Sequence, residues 1–196
     1  DLLRISAASA ANDHRLGANE APPAIISIFM GEELQGVLDA LVSGDTYTSQ
    51  SMTFKIGVDA LPDFPKDSTD RNRTSPFAFT GNRFEFRMVG SSENIACPNH
   101  MLNTIVASEL SDIADKMEKV PADKFKDELK KLLAEIVKEH KRVIFNGDGY
   151  SDAWVEEAAE RGLPNYKTTA DCVPHYADEK NVKLFEKFGI FSKAEI

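Results

Sequence analysis

Several features that mark other classes of protein are scarce in this sequence. Its 196 residues include two cysteines and one tryptophan, and 23 basic against 32 acidic side chains give a formal net charge of −9. This acidic balance disfavours broad binding to nucleic acids or to anionic membranes. No apolar run approaches the ~18–20 residues of a membrane span. The chain starts at Asp1 without a signal-peptide pattern, so we expect a cytoplasmic protein and a chain excised from something longer.

The cysteines and histidines form no recognisable motif. Cys97 and Cys172 are far apart in the sequence and fit no Cys-x-x-Cys pattern. Because disulfides are rare in the cytosol, we expect two free thiols, with one disulfide as the alternative. The four histidines show no metal-ligand spacing, and we expect them to pack or to lie at the surface.

The composition that is present is that of a globular domain. Hydrophobic residues make up 42% and charged residues 28% of the chain, which includes twelve phenylalanines. The basic residues differ in type along the chain: residues 1–108 hold six arginines and two lysines, whereas residues 109–196 hold two arginines and thirteen lysines. Sparse arginine in an aromatic setting favours recognition of planar anions, so the first part is where we expect a site.

Hydrophobic periodicity and turn residues predict an α+β fold. The spacing of apolar residues predicts the following helices, the first with proline in its first turn: residues 22–43, 101–119, 121–142, 152–161, 168–178 and 180–188. Strands are predicted around residues 52–58 and over residues 77–90. Residues 44–76 are rich in glycine, proline and small polar residues, which predicts a long functional loop or lid.

The predicted strand over residues 83–88 carries an unusual set of charges. Its residue types alternate strictly, so Arg83, Glu85 and Arg87 share one face and the apolar residues share the other. A carboxylate between two guanidiniums is held ionised, which suits a metal ligand beside arginines that bind anionic groups. The alternative is a ladder of ion pairs on a solvated face.

Two neighbouring segments add to this candidate site. Arg71 and Arg73 bring the number of arginines to four in 17 residues, and arginines around one glutamate suit a phosphate site with a divalent cation. Upstream, Arg15 and Glu20 lie on a loop of small residues, which could close over a ligand with Glu20 as a mobile acid or base. The alternative for Glu20 is electrostatic capping of the following helix.

Taken together, these segments resemble the catalytic domain of the type III glutamine synthetases. Residues 20–22 (Glu-Ala-Pro) match the family's loop, residues 72–74 (Asn-Arg-Thr) its Asn-Arg-Ser motif, and residues 83–87 its Arg-x-Glu-x-Arg strand. The resemblance covers residues 1–150 well and residues 151–196 more loosely. It implies part of an antiparallel sheet flanked by helices, in residues 1–119, followed by a helical C-terminal appendage, residues 120–196.

The resemblance also implies a reaction and its participants. Glutamine synthetases phosphorylate glutamate with ATP and then displace the phosphate with ammonia, using Mg²⁺ or Mn²⁺ and assembling into ring-based homo-oligomers. By position, Glu85 would be a metal ligand and Arg83 would contact the ATP phosphates. Arg87 would hold the carboxylate of glutamate, and Arg15 would help to bind glutamate.

The remaining implied roles belong to the two loops. Arg73 would stabilise the transferred phosphoryl group, and Glu20 would shield the γ-glutamyl phosphate and take a proton from ammonium. Other types of the enzyme have a further arginine at the position of Ala78, so its phosphate contact would be either absent or supplied by another residue, for which Arg71 is the candidate. Residues 31–70 are an insertion relative to the shorter types.

The family's other metal ligands, its glycine-rich glutamate-binding segment and its small N-terminal domain have no counterpart in the chain. We therefore expect these 196 residues to be inactive alone. Two alternatives remain: a regulatory or assembly module that keeps the fold without the chemistry, and a related ligase that joins glutamate to another amine.

Overall fold

The computed structural model describes residues 1–18, 21–48 and 74–196, and the backbone of two short strands between 49 and 73. The helices are α1 (Leu2–Ser6), α2 (Ala10–Arg15), α3 (Gly31–Ser43), α4 (Ala96–Met117), α5 (Phe125–His140), α6 (Asp152–Glu160), α7 (Thr169–Cys172) and α8 (Glu179–Lys187). The strands are β1 (Ile28–Phe29), β2 (Thr53–Phe54), β3 (Phe64–Pro65), β4 (Phe77–Phe79) and β5 (Phe84–Phe86). Two 3₁₀ helices span Lys141–Val143 and Val173–Ala177. Within the described ranges, no helix is long and apolar enough to cross a bilayer.

The sheet that carries the charged strand is mixed rather than antiparallel. Its order is β1-β4-β5, in which β5 runs antiparallel to β4 but β1 runs parallel to it, with Ile28 opposite Phe77. Parallel neighbours need a long crossover, and the chain between β1 and β4 supplies one that includes α3. The expectation of a purely antiparallel sheet is therefore wrong for β1, whereas the separate pair β2–β3 is antiparallel.

The predicted helix over residues 22–43 is wrong in its first part. Ile25 forms a bridge with Asn165, and Ile28 pairs with β4, so this stretch is extended and α3 begins only at Gly31. Branched isoleucines favour extended backbone where neighbouring strands offer pairing. The Asn146 side chain ends the extended stretch, because its Oδ1 atom accepts hydrogen bonds from the N–H groups of Met30 (2.9 Å) and Gly31 (3.1 Å).

The later helices lie close to their predicted positions. Ser151 caps α6 as expected, since its Oγ atom accepts a hydrogen bond from the Trp154 N–H. Residues 168–178 do not form one helix: α7 ends at Cys172 and a 3₁₀ helix follows. Pro174 lies in that 3₁₀ helix, and proline lacks the N–H that a continued α-helix would use.

Two buried clusters join the N-terminal and C-terminal parts of the chain. The first packs α1, α4, α7 and α8 together through Leu2, Ile5, Met101, Cys172 and Phe185. The second packs the extended stretch before β1 against α6 through Ile25, Trp154, Ala158 and Leu163. Each fully buried aliphatic or aromatic side chain contributes about 1.5–3 kcal/mol by leaving water. The helical region from residue 120 onward therefore shares both clusters with the residues before it.

Both cysteines are free thiols, as the sequence predicts, and both belong to the first cluster. Cys172 is fully buried and Cys97 is half-buried. Burial raises the pKa of each thiol above its ordinary value, because an apolar environment disfavours the thiolate.

A buried ion pair between α1 and α2 also binds the segment around residues 166–169. The Arg4 side chain is 1% exposed, and its Nη2 atom lies 2.7 Å from Asp13 Oδ1. Arg4 Nε also donates to the carbonyl oxygen of Tyr166 at 2.7 Å, and the Thr169 N–H donates to Asp13 Oδ2 at 2.6 Å. The start of α7 is thereby held against α2, the helix that leads into the candidate site.

Candidate active site

The β4–β5 hairpin presents the Arg-x-Glu-x-Arg sequence. Ala78 lies opposite Glu85 in the antiparallel register, and the hairpin is closed by the Thr80 N–H donating to the Arg83 carbonyl at 2.9 Å. At the turn, Gly81 has a φ of +94°, a conformation that glycine adopts without strain. The register therefore fixes which side chains of β5 share a face.

Glu85 of β5 and the two arginines that flank this strand, Arg83 and Arg87, lie together as their alternation predicts. Arg87 donates from Nε and from Nη2 to Glu85 Oε2, each at 3.2 Å. Arg83 Nε lies 3.9 Å from Glu85 Oε1 on the other side of the carboxylate. The side chains are 73%, 41% and 15% exposed from Arg83 through Glu85 to Arg87. The cluster thus runs from an open guanidinium to a nearly buried one, with the carboxylate between them.

Arg15 reaches the end of the same strand from the last turn of α2. Its guanidinium donates from Nη2 to the Met88 carbonyl oxygen and from Nε to Asn12 Oδ1, the latter at 2.8 Å. Asn12, which is 2% exposed, itself donates from Nδ2 to the Met88 carbonyl at 2.9 Å and to the Ala7 carbonyl at 2.7 Å. Arg15 therefore contacts the backbone carbonyl of Met88, the residue that directly follows Arg87.

Asn12 is a residue that the sequence patterns did not indicate. It lies three positions before Arg15, and residues at that spacing share one face of a helix. An uncharged amide within a short polar helix gives no periodic signal, and only the burial of its side chain shows what it does.

The structure describes the loop after α2 on both sides of residues 19 and 20. The Gly17 N–H donates to the Pro22 carbonyl at 2.9 Å, and Gly17 has a φ of +78°. Ala21 and Pro22 are buried. Glu20 itself lies outside the described residues, as do Arg71 and Arg73, so their predicted roles stay predictions.

A second unpredicted contact lies directly after Arg73. Thr74 is buried, and its carbonyl oxygen would be 2.5 Å from a Cβ atom placed on Gly149. The turn over residues 146–149, which the sequence shows as an ordinary glycine turn, is therefore packed against the backbone of Thr74, the last residue of the Asn-Arg-Thr segment.

Comparison of the sequence with known proteins shows which family the chain resembles. Residues 128–196 match the glutamine synthetase C-terminal domain. A glutamine synthetase from Butyrivibrio fibrisolvens is 48% identical over 199 aligned residues, which cover all of this chain and 28% of that protein. A type-3 glutamine synthetase from Dictyostelium discoideum is 48% identical over 198 residues, which cover all of this chain and 27% of that protein. This chain belongs to the glutamine synthetase family.

A third relative, the glutamine synthetase of Bacteroides fragilis, is 43% identical over 202 residues that again cover the whole chain. The chain spans about 28% of the length of the curated relatives it matches. The matched glutamine synthetase C-terminal domain begins within α5 and includes α6, α7 and α8. The charged strand β5 lies before that domain.

Few side chains in the described part of the chain could bind a metal ion together. No group of three or more histidine, cysteine, aspartate or glutamate side chains converges there. Glu85 offers a half-exposed carboxylate, with Oε1 only 3.5 Å from Thr80 Oγ1. Mg²⁺ commonly uses one or two protein carboxylates together with substrate phosphates and waters. Glu85 therefore fits such an ion as one ligand among others, which other residues or the substrate must supply.

Proposed function

We propose that the native protein containing this chain is an ATP-dependent ligase that joins ammonia to L-glutamate, and that β5 and α2 line part of its active site. The proposal is supported by relatives named glutamine synthetase that match the whole chain. The observation that carries it is the arrangement of Glu85 between Arg83 and Arg87. One carboxylate between two guanidiniums suits a reaction between an anionic substrate and a nucleotide.

The proposed reaction has two steps. An oxygen of the γ-carboxylate of glutamate attacks the γ-phosphorus of ATP, and ADP leaves. The nitrogen of ammonia then attacks the γ-carbonyl carbon of the resulting γ-glutamyl phosphate and loses a proton. Inorganic phosphate leaves with the electron pair of the broken C–O bond and takes up that proton. Charge accumulates on phosphoryl oxygens in the first step, and fixed guanidiniums stabilise such charge.

The gradient of exposure along β5 supports a division of roles. Arg83 is 73% exposed and can reach a mobile polyphosphate, so we assign it to the ATP phosphates. Arg87 is 15% exposed and is held by Glu85, which suits a fixed contact with the glutamate carboxylate. Glu85 would hold a bound Mg²⁺ or Mn²⁺, which supplies charge neutralisation at the phosphates. Arg15, beside Met88, would help Arg87 to bind glutamate.

The remaining roles rest on the family resemblance. Arg73 would stabilise the transferred phosphoryl group, with Arg71 contributing a phosphate contact, because Ala78 cannot. Glu20 would close over the intermediate and take a proton from ammonium. We propose that the protein acts in the cytoplasm as a ring-based homo-oligomer, and that these 196 residues are inactive alone because the part of the chain that the structure describes brings together too few metal ligands.

Phosphate release by the native protein tests this function. We expect release from ATP and Mg²⁺ to require both glutamate and ammonium, and Arg87→Ala to raise the glutamate KM by about tenfold or more, because a charge-assisted contact is lost. The isolated chain should give none.

Other outcomes would overturn the proposal. A requirement for an amine other than ammonia would indicate a related ligase with the same strand. No release from a well-folded native protein would indicate a regulatory or assembly module.

A further inference from the structure

A basic cleft lies on a part of the molecule that the proposed reaction does not use. Its volume is about 510 Å³, and it is formed by α3, the C-terminal end of α5, the segment that follows α5, and Arg161 at the end of α6. Ligand pockets in proteins commonly enclose about 300–1,000 Å³. None of the residues that line it belongs to α2 or to the β4–β5 hairpin.

Most of the charge around this cleft is positive and unpaired. Lys138 and Lys141 line it, and neither forms a salt bridge with any residue whose placement the structure describes. Arg142 contacts only backbone carbonyls in the same described part. The acid in the lining is Asp39, which accepts a hydrogen bond from Gln35. A concave surface lined by one sign of charge concentrates its field on an entering counter-ion.

One wall of the cleft is held rigid by two arginines that bind each other's backbone. Arg161 Nη1 donates to the carbonyls of Arg142 (3.2 Å) and Ile144 (2.8 Å), and Arg142 Nη1 donates back to the Gly162 carbonyl at 3.4 Å. The Arg161 guanidinium also lies 5.3 Å from the centre of the buried Trp154 ring. Such fixed groups lose little entropy when a ligand binds.

Acidic side chains neutralise only part of the positive charge in the cleft. Glu157 pairs with Arg161. The charges of Arg142 and the two lysines remain, so the cleft keeps an excess of positive charge after this pair and Asp39 are counted.

The lining also has an apolar part. Val42 of α3, Val137 of α5 and Ile144 contribute aliphatic surface between the charged groups. Lysine ammoniums and arginine forks bind phosphate well, and aliphatic surface accommodates a small carbon skeleton. We infer that the cleft binds a small phosphate-bearing metabolite.

The test is calorimetric titration of the native protein with ribose 5-phosphate, with ribose as the uncharged comparison. We expect ribose 5-phosphate to bind and ribose not to bind. The double variant Lys138→Gln/Lys141→Gln should bind the phosphate about tenfold more weakly or worse, because two charge-assisted contacts are lost. The matched control is Lys126→Gln/Lys130→Gln, which removes two exposed lysines of α5 outside the cleft and should bind like the unaltered protein.

The variants separate the cleft from any phosphate site elsewhere in the protein. Equal binding by the unaltered protein and the Lys138/Lys141 variant would overturn the inference, as would equal weakening by the control. Absence of binding to the native protein would also overturn it. Tighter binding of citrate than of ribose 5-phosphate would exclude phosphate as the recognised group.

Discussion

Arg15 donates a hydrogen bond from Nε to Oδ1 of Asn12, 2.8 Å away, and both side chains also donate to the carbonyl oxygen of Met88. Because Met88 directly follows Arg87, this arrangement ties the last turn of α2 to the end of the charged strand. The buried amide of Asn12 thereby links the Arg15 side chain to the backbone of the residue that follows Arg87.

The first prediction concerns that amide. Asn12→Ala removes one of the two hydrogen bonds to the Met88 carbonyl and the Oδ1 acceptor of Arg15, so the Arg15 guanidinium keeps only its contact with that carbonyl and loses its fixed orientation. We expect the glutamate KM to rise about fivefold or more, which corresponds to the loss of roughly one hydrogen bond of about 1 kcal/mol, while the ATP KM stays unchanged. Steady-state kinetics of the native protein measures both.

A control variant separates positioning from general destabilisation. Asn181 is another buried asparagine, 5% exposed, whose Nδ2 atom donates to the His175 carbonyl in the other part of the fold. Asn181→Ala should leave the glutamate KM unchanged at temperatures where the protein stays folded. Equal changes of KM in both variants would show that Asn12 has no specific role.

The second prediction concerns the pH dependence of the contact between α2 and α7. Burial by itself would raise the pKa of Asp13, but hydrogen bonds from the Thr169 N–H and from Arg4 outweigh it, and this pKa lies below its ordinary value of 3.8. A lowered pKa stabilises the folded state above the unfolded-state pKa, and that stabilisation is lost as pH falls through the folded-state value. Acid below about pH 4 should therefore loosen this contact.

Hydrogen exchange of the peptide over residues 166–172 measures the stability of the contact between α2 and α7. At pH 6, Asp13→Asn should reduce protection relative to the unaltered protein, because the buried Arg4 loses its anionic partner. The difference should shrink as the pH falls below about 4. Glu179→Gln is the control, since the Glu179–Lys183 pair is largely exposed and such pairs contribute little. A difference that does not depend on pH would contradict the prediction.

The third prediction concerns the close approach of Gly149 to Thr74. A Cβ atom at position 149 would lie 2.5 Å from the Thr74 carbonyl oxygen, so Gly149→Ala forces the backbone apart. We expect a loss of about 1–3 kcal/mol in the free energy of unfolding. Urea unfolding measures it, and Gly90→Ala is the control, because its Cβ would meet its nearest neighbours at an ordinary 3.5 Å. Equal stability of the two variants would contradict this account.

The fourth prediction separates the roles of the two arginines that flank β5. Arg83→Gln removes the exposed guanidinium that lies 3.9 Å from Glu85, and we expect the ATP KM to rise with little change in the glutamate KM. Arg87→Gln should do the reverse. Kinetics with one substrate varied at a time measures the split, and an identical effect of both variants on both substrates would contradict the assigned roles.

The fifth prediction concerns the two thiols. Because burial raises the pKa of Cys97 and Cys172, both should react with iodoacetamide at pH 8 more slowly than an exposed cysteine. Cys172 is fully buried and should react more slowly than the half-buried Cys97. Mass spectrometry of the two peptides measures the rates, and unfolding in urea should make them equal. Fast labelling of Cys172 in the folded protein would contradict its placement.

The local patterns that were predictable are those that depend on neighbouring residues. Strict alternation places Arg83, Glu85 and Arg87 on one face, and the structure brings them together. Serine before a helical pattern predicts a cap, and Ser151 forms one. The helix errors arise where distant partners intervene: Ile25 and Ile28 look helical by spacing but are extended because Asn165 and β4 pair with them.

Residue type and short spacing are enough to predict the charged face around β5, the long amphipathic helices and the motifs that resemble glutamine synthetases. The parallel pairing of β1 with β4, the buried amide of Asn12 beside Arg15, and the basic cleft at the end of α5 follow from no local pattern and form when the elements pack. These features join residues far apart along the chain. Their energies come from burial and hydrogen bonds that exist only once the elements have packed.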